Sequence, residues 1–207
     1  MKLTIQGIQD KQPIPEKFAF GVPGDGEPMA TGPNRNPALT WEDAPENTKS
    51  YAIIVVDPDV PEDASDANQP GKMLAADLTR RNFYHWVLVD IPVNTSAIEE
   101  GAASDGVTPH GKEPGPSDLG LKGINSFTDF LAGDPDMEGT YGGYDGPCPP
   151  WNDERMHHYH FTVYALDVET LGLNGEFTGV EAEKALQDHV LDKATVTGTY
   201  TLNPALR

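Results

Sequence analysis

What is scarce or absent bounds this chain. It has one cysteine, Cys148, in 207 residues, so no intrachain disulfide can form. Basic residues are scarce, 14 against 33 acidic ones, for a net charge of −19. A surface this acidic repels nucleic acid and anionic membranes, and it reads as a device for solubility. Long apolar runs are missing too. Nothing approaches the ~20 residues of a membrane-spanning helix, and the opening MKLTIQGIQDKQPIP has no apolar core of signal-peptide length. A cytoplasmic location with no membrane insertion is the expectation. Familiar catalytic signatures are also lacking: no G-x-S-x-G, no phosphate-binding loop and no C-x-x-C. The run DPDVPEDASDAN has the acid content of a calcium loop, but Pro61 and Glu62 stand where a ligand and a glycine belong.

What the chain has in quantity is glycine and proline, 21 and 19 residues, spaced between short apolar strands. That alternation predicts an all-β fold, and the length fits one domain over 1–207. Tyr51 to Val56 is continuously apolar and β-branched, as in a central strand buried on both faces. Phe83 to Ile91 alternates: Phe83, His85, Val87, Val89 and Ile91 fall on one face, and Tyr84, Trp86, Leu88 and Asp90 on the other. Ala38 to Trp41, Tyr159 to Leu166 and Thr195 to Leu202 are further strands. One helix is predicted after Thr178, which forms a capping box with Glu181 and is followed by an apolar stripe of Ala182, Ala185, Leu186, His189 and Val190. Two segments read as insertions. The first, Glu62 to Asn82, ends in AADLTRR, a short-helix candidate. The second, Ala97 to Lys122, reads as a surface excursion.

The chemistry-bearing residues lie in four places. Asp57 and Asp59 flank Pro58, which biases Asp57 to extended backbone, so both carboxylates point the same way. By itself a D-P-D is better explained as turn chemistry. His85 lies within an apolar strand and needs a partner, for which Asp57 is placed. YDGPCPP is a stiff loop, because proline fixes φ and restrains the residue before it. It fits a pocket wall or a surface turn about equally. His157 and Tyr159 share one strand face, while His158 and His160 take the other. Asp57, His85 and His157 have the composition of a two-histidine, one-carboxylate metal site, although spacing does not establish convergence. Cys148 lies between prolines with nothing nearby to lower its pKa, which makes it structural rather than nucleophilic.

Taken in order, DPDVP, YHWVLVDIP, YDGPCPP and HHYHFTVYALD resemble the phosphatidylethanolamine-binding protein family, and its bacterial branch in particular. The resemblance spans about Leu39 to Tyr200. It implies a β-sandwich with one or two peripheral C-terminal helices and a small anion-binding pocket. The site it implies comprises Asp57, Asp59, His85, His157 and Tyr159, closed by Tyr144, Gly146, Pro147 and Pro149. The implied ligand is a phosphate, phospho-head-group or carboxylate, with no cofactor and no metal. A metal-assisted or histidine-based hydrolase using the same cluster is the alternative. A regulatory role through a protein bound at the pocket rim is a third reading. The resemblance also suggests a homodimer, for which Tyr84 and Trp86 are candidate anchors if they do not fill the core.

Overall fold

The computed structural model describes residues 1–207, and a seven-stranded sheet organises it. The strands run in the order Gly115–Ser117, Gly120–Lys122, Arg80–Pro92, Ser50–Pro61, His157–Leu166, Val190–Tyr200 and Gln12–Pro13. All neighbours are antiparallel except the last pair. A three-stranded sheet of Lys2–Ile5, Leu39–Glu42 and Ala97–Ile98 shares a core with it, in which Leu3, Leu39 and Trp41 meet Ile53, Trp86 and Phe161. The other face of the large sheet is covered by the helix Gly179–Leu186, through Ala182 and Leu186 against Ile54, Tyr84 and Val87. The strand through Tyr51 to Val56 is therefore buried on both sides, as its continuous apolar run predicts.

The His85 strand departs from simple alternation. Val55 pairs with Trp86 and Val56 with Tyr84, so His85 is an extra residue on a β-bulge. A second irregularity follows near Asp90, whose φ is +54°. These bulges rotate the strand between them. Trp86 and Leu88 reach the sandwich core, whereas Val87 and Val89 reach the helix side. Tyr84 and Trp86 are both interior, and neither is available to anchor a partner chain.

The capping box forms as expected, but the helix ends at Leu186. His189 and Val190 lie beyond it, because Val190 starts the strand that pairs with Leu166. A one-turn helix, Phe127–Phe130, lies mid-chain. AADLTRR forms no helix: its last residues open the His85 strand, and the Arg80 guanidinium binds the Ala75 carbonyl at 2.8 Å. The second excursion is part of the framework. It supplies Ala97–Ile98 to the small sheet and Gly120–Lys122 to the large one, and its Gly111–Lys112 pairs in parallel with Thr140–Tyr141.

Gly179, the first helical residue, lies against the Tyr84 ring, and a Cβ there would stand 2.2 Å from Tyr84 Cδ1. Helix propensity alone would make Gly179→Ala stabilising by about 1 kcal/mol. The clash reverses the sign, and we expect a loss of about 1–3 kcal/mol. The urea midpoint measures it, and a raised midpoint would show that the ring moves freely.

Candidate functional site

The bulge takes His85 out of strand pairing and turns it toward the loop at Asp145. The His85 carbonyl accepts from the Asp145 amide at 2.9 Å, and His85 Nδ1 lies 2.8 Å from the Asp145 carbonyl oxygen. A carbonyl only accepts, so Nδ1 carries the proton, and in the neutral ring Nε2 keeps a free lone pair. Phe83, Tyr159 and Phe127 surround the imidazole, with ring centroids at 4.9, 5.1 and 5.6 Å. Burial lowers the His85 pKa, and the nearby Asp57 charge offsets this only in part. His85 is therefore neutral at pH 7.

Asp57 does not bond to His85, contrary to the sequence expectation. Its Oδ1 accepts from the Asp59 amide at 2.8 Å, and its Oδ2 accepts from His157 Nδ1 at 2.7 Å. His157 Nε2 donates to Asp153 Oδ2 at 3.1 Å. Asp153 in turn is gripped by both terminal nitrogens of Arg80, at 2.5 and 3.0 Å. All four side chains are buried or nearly so. Burial alone would discharge His157, but the Asp57 and Asp153 carboxylates outweigh it and push its pKa up to about 9. His157 is thus a charged link between two carboxylates, behind the pocket rather than in its wall. Asp59 points elsewhere. Its carboxylate takes Arg155 Nε at 2.6 Å and His158 Nδ1 at 2.8 Å. The prediction that the two aspartates share a direction fails because the chain bulges between Asp57 and Val60.

A cavity of about 60 Å³ opens beside these residues, several times the ~10–15 Å³ that one water needs. Of the predicted site, Asp57, His85, Pro149 and Tyr159 line it. The Tyr159 hydroxyl is buried without a hydrogen-bond partner, and burial, with the Asp57 charge nearby, holds its pKa well above the phenol range. Tyr144, Gly146 and Pro147 do not line the cavity. Tyr144 donates to the Phe18 carbonyl at 2.7 Å, the Gly146 amide donates to Asn34 Oδ1 at 2.8 Å, and the Pro147 carbonyl takes the Phe20 and Gly21 amides. They fasten the loop from behind. Gly146 is required there, since a Cβ would stand 1.9 Å from the Phe18 carbonyl oxygen. Cys148 also lines the cavity, and burial pushes its thiol up to about 12, so it stays protonated.

Sequence reasoning missed Arg81. It lies on the cavity wall, exposed, and forms no ion pair, while its neighbour Arg80 is committed to Asp153. Two consecutive arginines on a strand must point to opposite faces, and that signal was available in RRNFYH. The first excursion contributes Ala64, Ala67 and Asn68 to the wall, and Phe83, Phe127 and Phe130 make an aromatic side. Asp57, His85 and His157 do not converge as metal ligands: both His157 nitrogens and His85 Nδ1 are already occupied.

The fold and cavity define a mostly β protein with a small, partly apolar pocket whose polar groups come from adjacent strands of one sheet. The phosphatidylethanolamine-binding protein model matches residues 4–201, and the chain belongs to that family. It is 28% identical to YbhB of Escherichia coli over 203 residues, covering 97% of this chain and all of the relative. A relative from Pyrococcus horikoshii is 33% identical over 200 residues, covering 95% of this chain and 80% of that protein. Among solved structures, Escherichia coli YbcL, described as a member of the mammalian family, superimposes with a TM-score of 0.68 at 26% identity over 97% of both chains. A homologue from Chlamydia trachomatis gives 0.62 at 27% identity over 96% of this chain and 95% of its own.

The His157 pKa carries a stability consequence. It is raised from 6.5 to about 9, so the stabilisation is fully present below the unfolded value and is lost as pH rises through about 9. The melting temperature should fall between about pH 7 and pH 9.5, and Asp57→Asn should be less stable at pH 7 and flatter across the range. Calorimetric melts of both proteins test this. Parallel pH profiles would mean that His157 does not carry the charge.

Proposed function

We propose that this protein binds a small phosphate-type anion, free or at the end of a larger molecule, in the cavity walled by Asp57, His85 and Arg81. The observation that carries the reading is Arg81, an unpaired guanidinium on the pocket wall of a chain whose net charge is −19. The acidic groups next to it are already balanced: Asp57 and Asp153 by His157 and Arg80, and Asp59 by Arg155. Arg81 is therefore a local positive charge with no internal partner, and guanidinium suits tetrahedral oxyanions. The family name points to the same class, a phosphate-bearing head group. A 60 Å³ cavity suits the head of such a molecule, and the acidic surface opposes docking on an anionic membrane.

The two sides of the pocket differ in hydrogen-bonding character. Arg81 donates. Neutral His85 offers a lone pair at Nε2, and the Asp57 carboxylate only accepts. An anion that brings its own protons satisfies both sides, as dihydrogen phosphate or a singly protonated phosphate monoester does and sulfate does not, and both of those forms lose a proton near neutral pH. An anion without a proton requires His85 to take one up. Either route couples binding to proton uptake, so affinity rises as pH falls.

Titration calorimetry with inorganic phosphate and with sulfate, at about pH 6 and about pH 8, reads this directly. We expect phosphate to bind more tightly than sulfate and both to weaken at the higher pH. Arg81→Met should weaken phosphate about tenfold, or ~1.4 kcal/mol. Equal affinity at both pH values, or an unchanged constant in Arg81→Met, contradicts the reading.

A further inference from the structure

We infer that Lys112 and Asp145 form a positioning pair that fixes which nitrogen of His85 is free, so that the second excursion sets the hydrogen-bonding state of the pocket. Only the ligand-binding consequence rests on the proposed function. The positioning itself stands on geometry.

His85 has lost its strand partner to the bulge, and its backbone carbonyl and ring Nδ1 both bond to the backbone of Asp145. The imidazole therefore keeps Nε2 bare only while the Asp145 carbonyl holds its place. The loop carrying that carbonyl has almost no secondary structure to hold it. Besides the Tyr144, Gly146 and Pro147 bonds that fasten it from behind, it is held at Asp145 by that residue's carboxylate, which is fully buried. Oδ1 accepts from Lys112 Nζ at 2.6 Å and from Asn34 Nδ2 at 2.8 Å, and Oδ2 accepts from Asn125 Nδ2 at 2.8 Å. Lys112 Nζ also donates to the Tyr144 carbonyl at 3.0 Å. The residue that His85 reads is thus pinned through its side chain and through the peptide before it.

Lys112 is the sole cation in this set, and a buried carboxylate without a counter-charge is strongly disfavoured. Its position is prescribed by the backbone. Lys112 pairs with Tyr141, close to the loop in sequence, across the parallel contact of Gly111–Lys112 with Thr140–Tyr141. That contact requires glycine at 111: φ is +84°, and a Cβ would meet the Thr140 oxygen at 2.0 Å. A glycine, a two-residue strand and one lysine together deliver a charge to the back of His85. The carbonyl that His85 reads belongs to the same residue as that carboxylate.

Nitrogen-15 NMR of the histidine rings tests the inference without any ligand. In the wild type, His85 should show a protonated Nδ1 and a bare Nε2. Lys112→Met keeps the aliphatic stem and removes the charge. The double variant Lys112→Met/Asp145→Asn removes both charges, so that no unpaired ion is left buried should the single variant fail to fold. In either folded variant the His85 nitrogen shifts should move toward a tautomer mixture, and inorganic phosphate should bind about tenfold more weakly. Lys112→Arg should restore most of both. Wild-type His85 shifts in a folded variant lacking Lys112 would overturn the positioning role, whatever happens to affinity. A wild type that binds no phosphate, with His85 shifts that still respond to Lys112, would remove the anion reading and keep the positioning pair.

Discussion

The site depends on a buried chain of charges, Asp57–His157–Asp153–Arg80, that runs from the pocket wall into the protein. Its members come from the Asp57 strand, the His157 strand, the loop between Pro150 and Met156, and the start of the His85 strand. Each ion is tolerable inside only because the next one is there. The Asp57 carboxylate can therefore lie at the cavity without leaving an uncompensated charge. The chain also ties the first excursion into place, since Arg80 holds the Ala75 and Asp59 carbonyls as well. The pocket wall and the interior that supports it are one electrostatic unit.

The two histidines nearest the pocket illustrate how environment decides charge. His157, between two carboxylates, has its pKa raised to about 9 despite burial. His85, among aromatic rings with one carbonyl partner, has its pKa lowered by the same burial. They are the same residue type under the influence of one carboxylate, Asp57, held in opposite protonation states. The charged one serves the structure, and the neutral one faces the cavity.

Much of the fold was legible in the sequence because its signals are local. The apolar run from Tyr51 predicted a doubly covered strand, and Thr178 with Glu181 predicted a helix start. The site was legible only in part. Asp57, His85, Pro149 and Tyr159 meet at the cavity as the motifs suggested. Asp59 does not, because a bulge resets the period-two rule that assigned its face, and His157 does not, because Asp57 and Asp153 take both its ring nitrogens behind the wall. Arg81 and Asp145 were passed over for a different reason. The doubled arginine in RRNFYH shows that the two point to opposite faces, but which of them is left unpaired, and what Asp145 pins down, depend on the rest of the chain. The excursion at 97–122 looked like surface decoration because its glycines and prolines read as loop, yet those residues allow the close backbone approach that places Lys112.

The strand order has a temporal consequence. The Asp57 and His85 strands are adjacent in the chain and pair with each other, so they can meet early during synthesis. His157 and Val190–Tyr200, which complete the sheet, are made about a hundred residues later. Until then Asp57 has no histidine to neutralise it, and one edge of the Asp57 strand lies open. A nascent chain that sealed this strand prematurely would bury a bare carboxylate. The same charge that the finished protein pairs with His157 thus disfavours burying the half-built sheet before its last strands arrive.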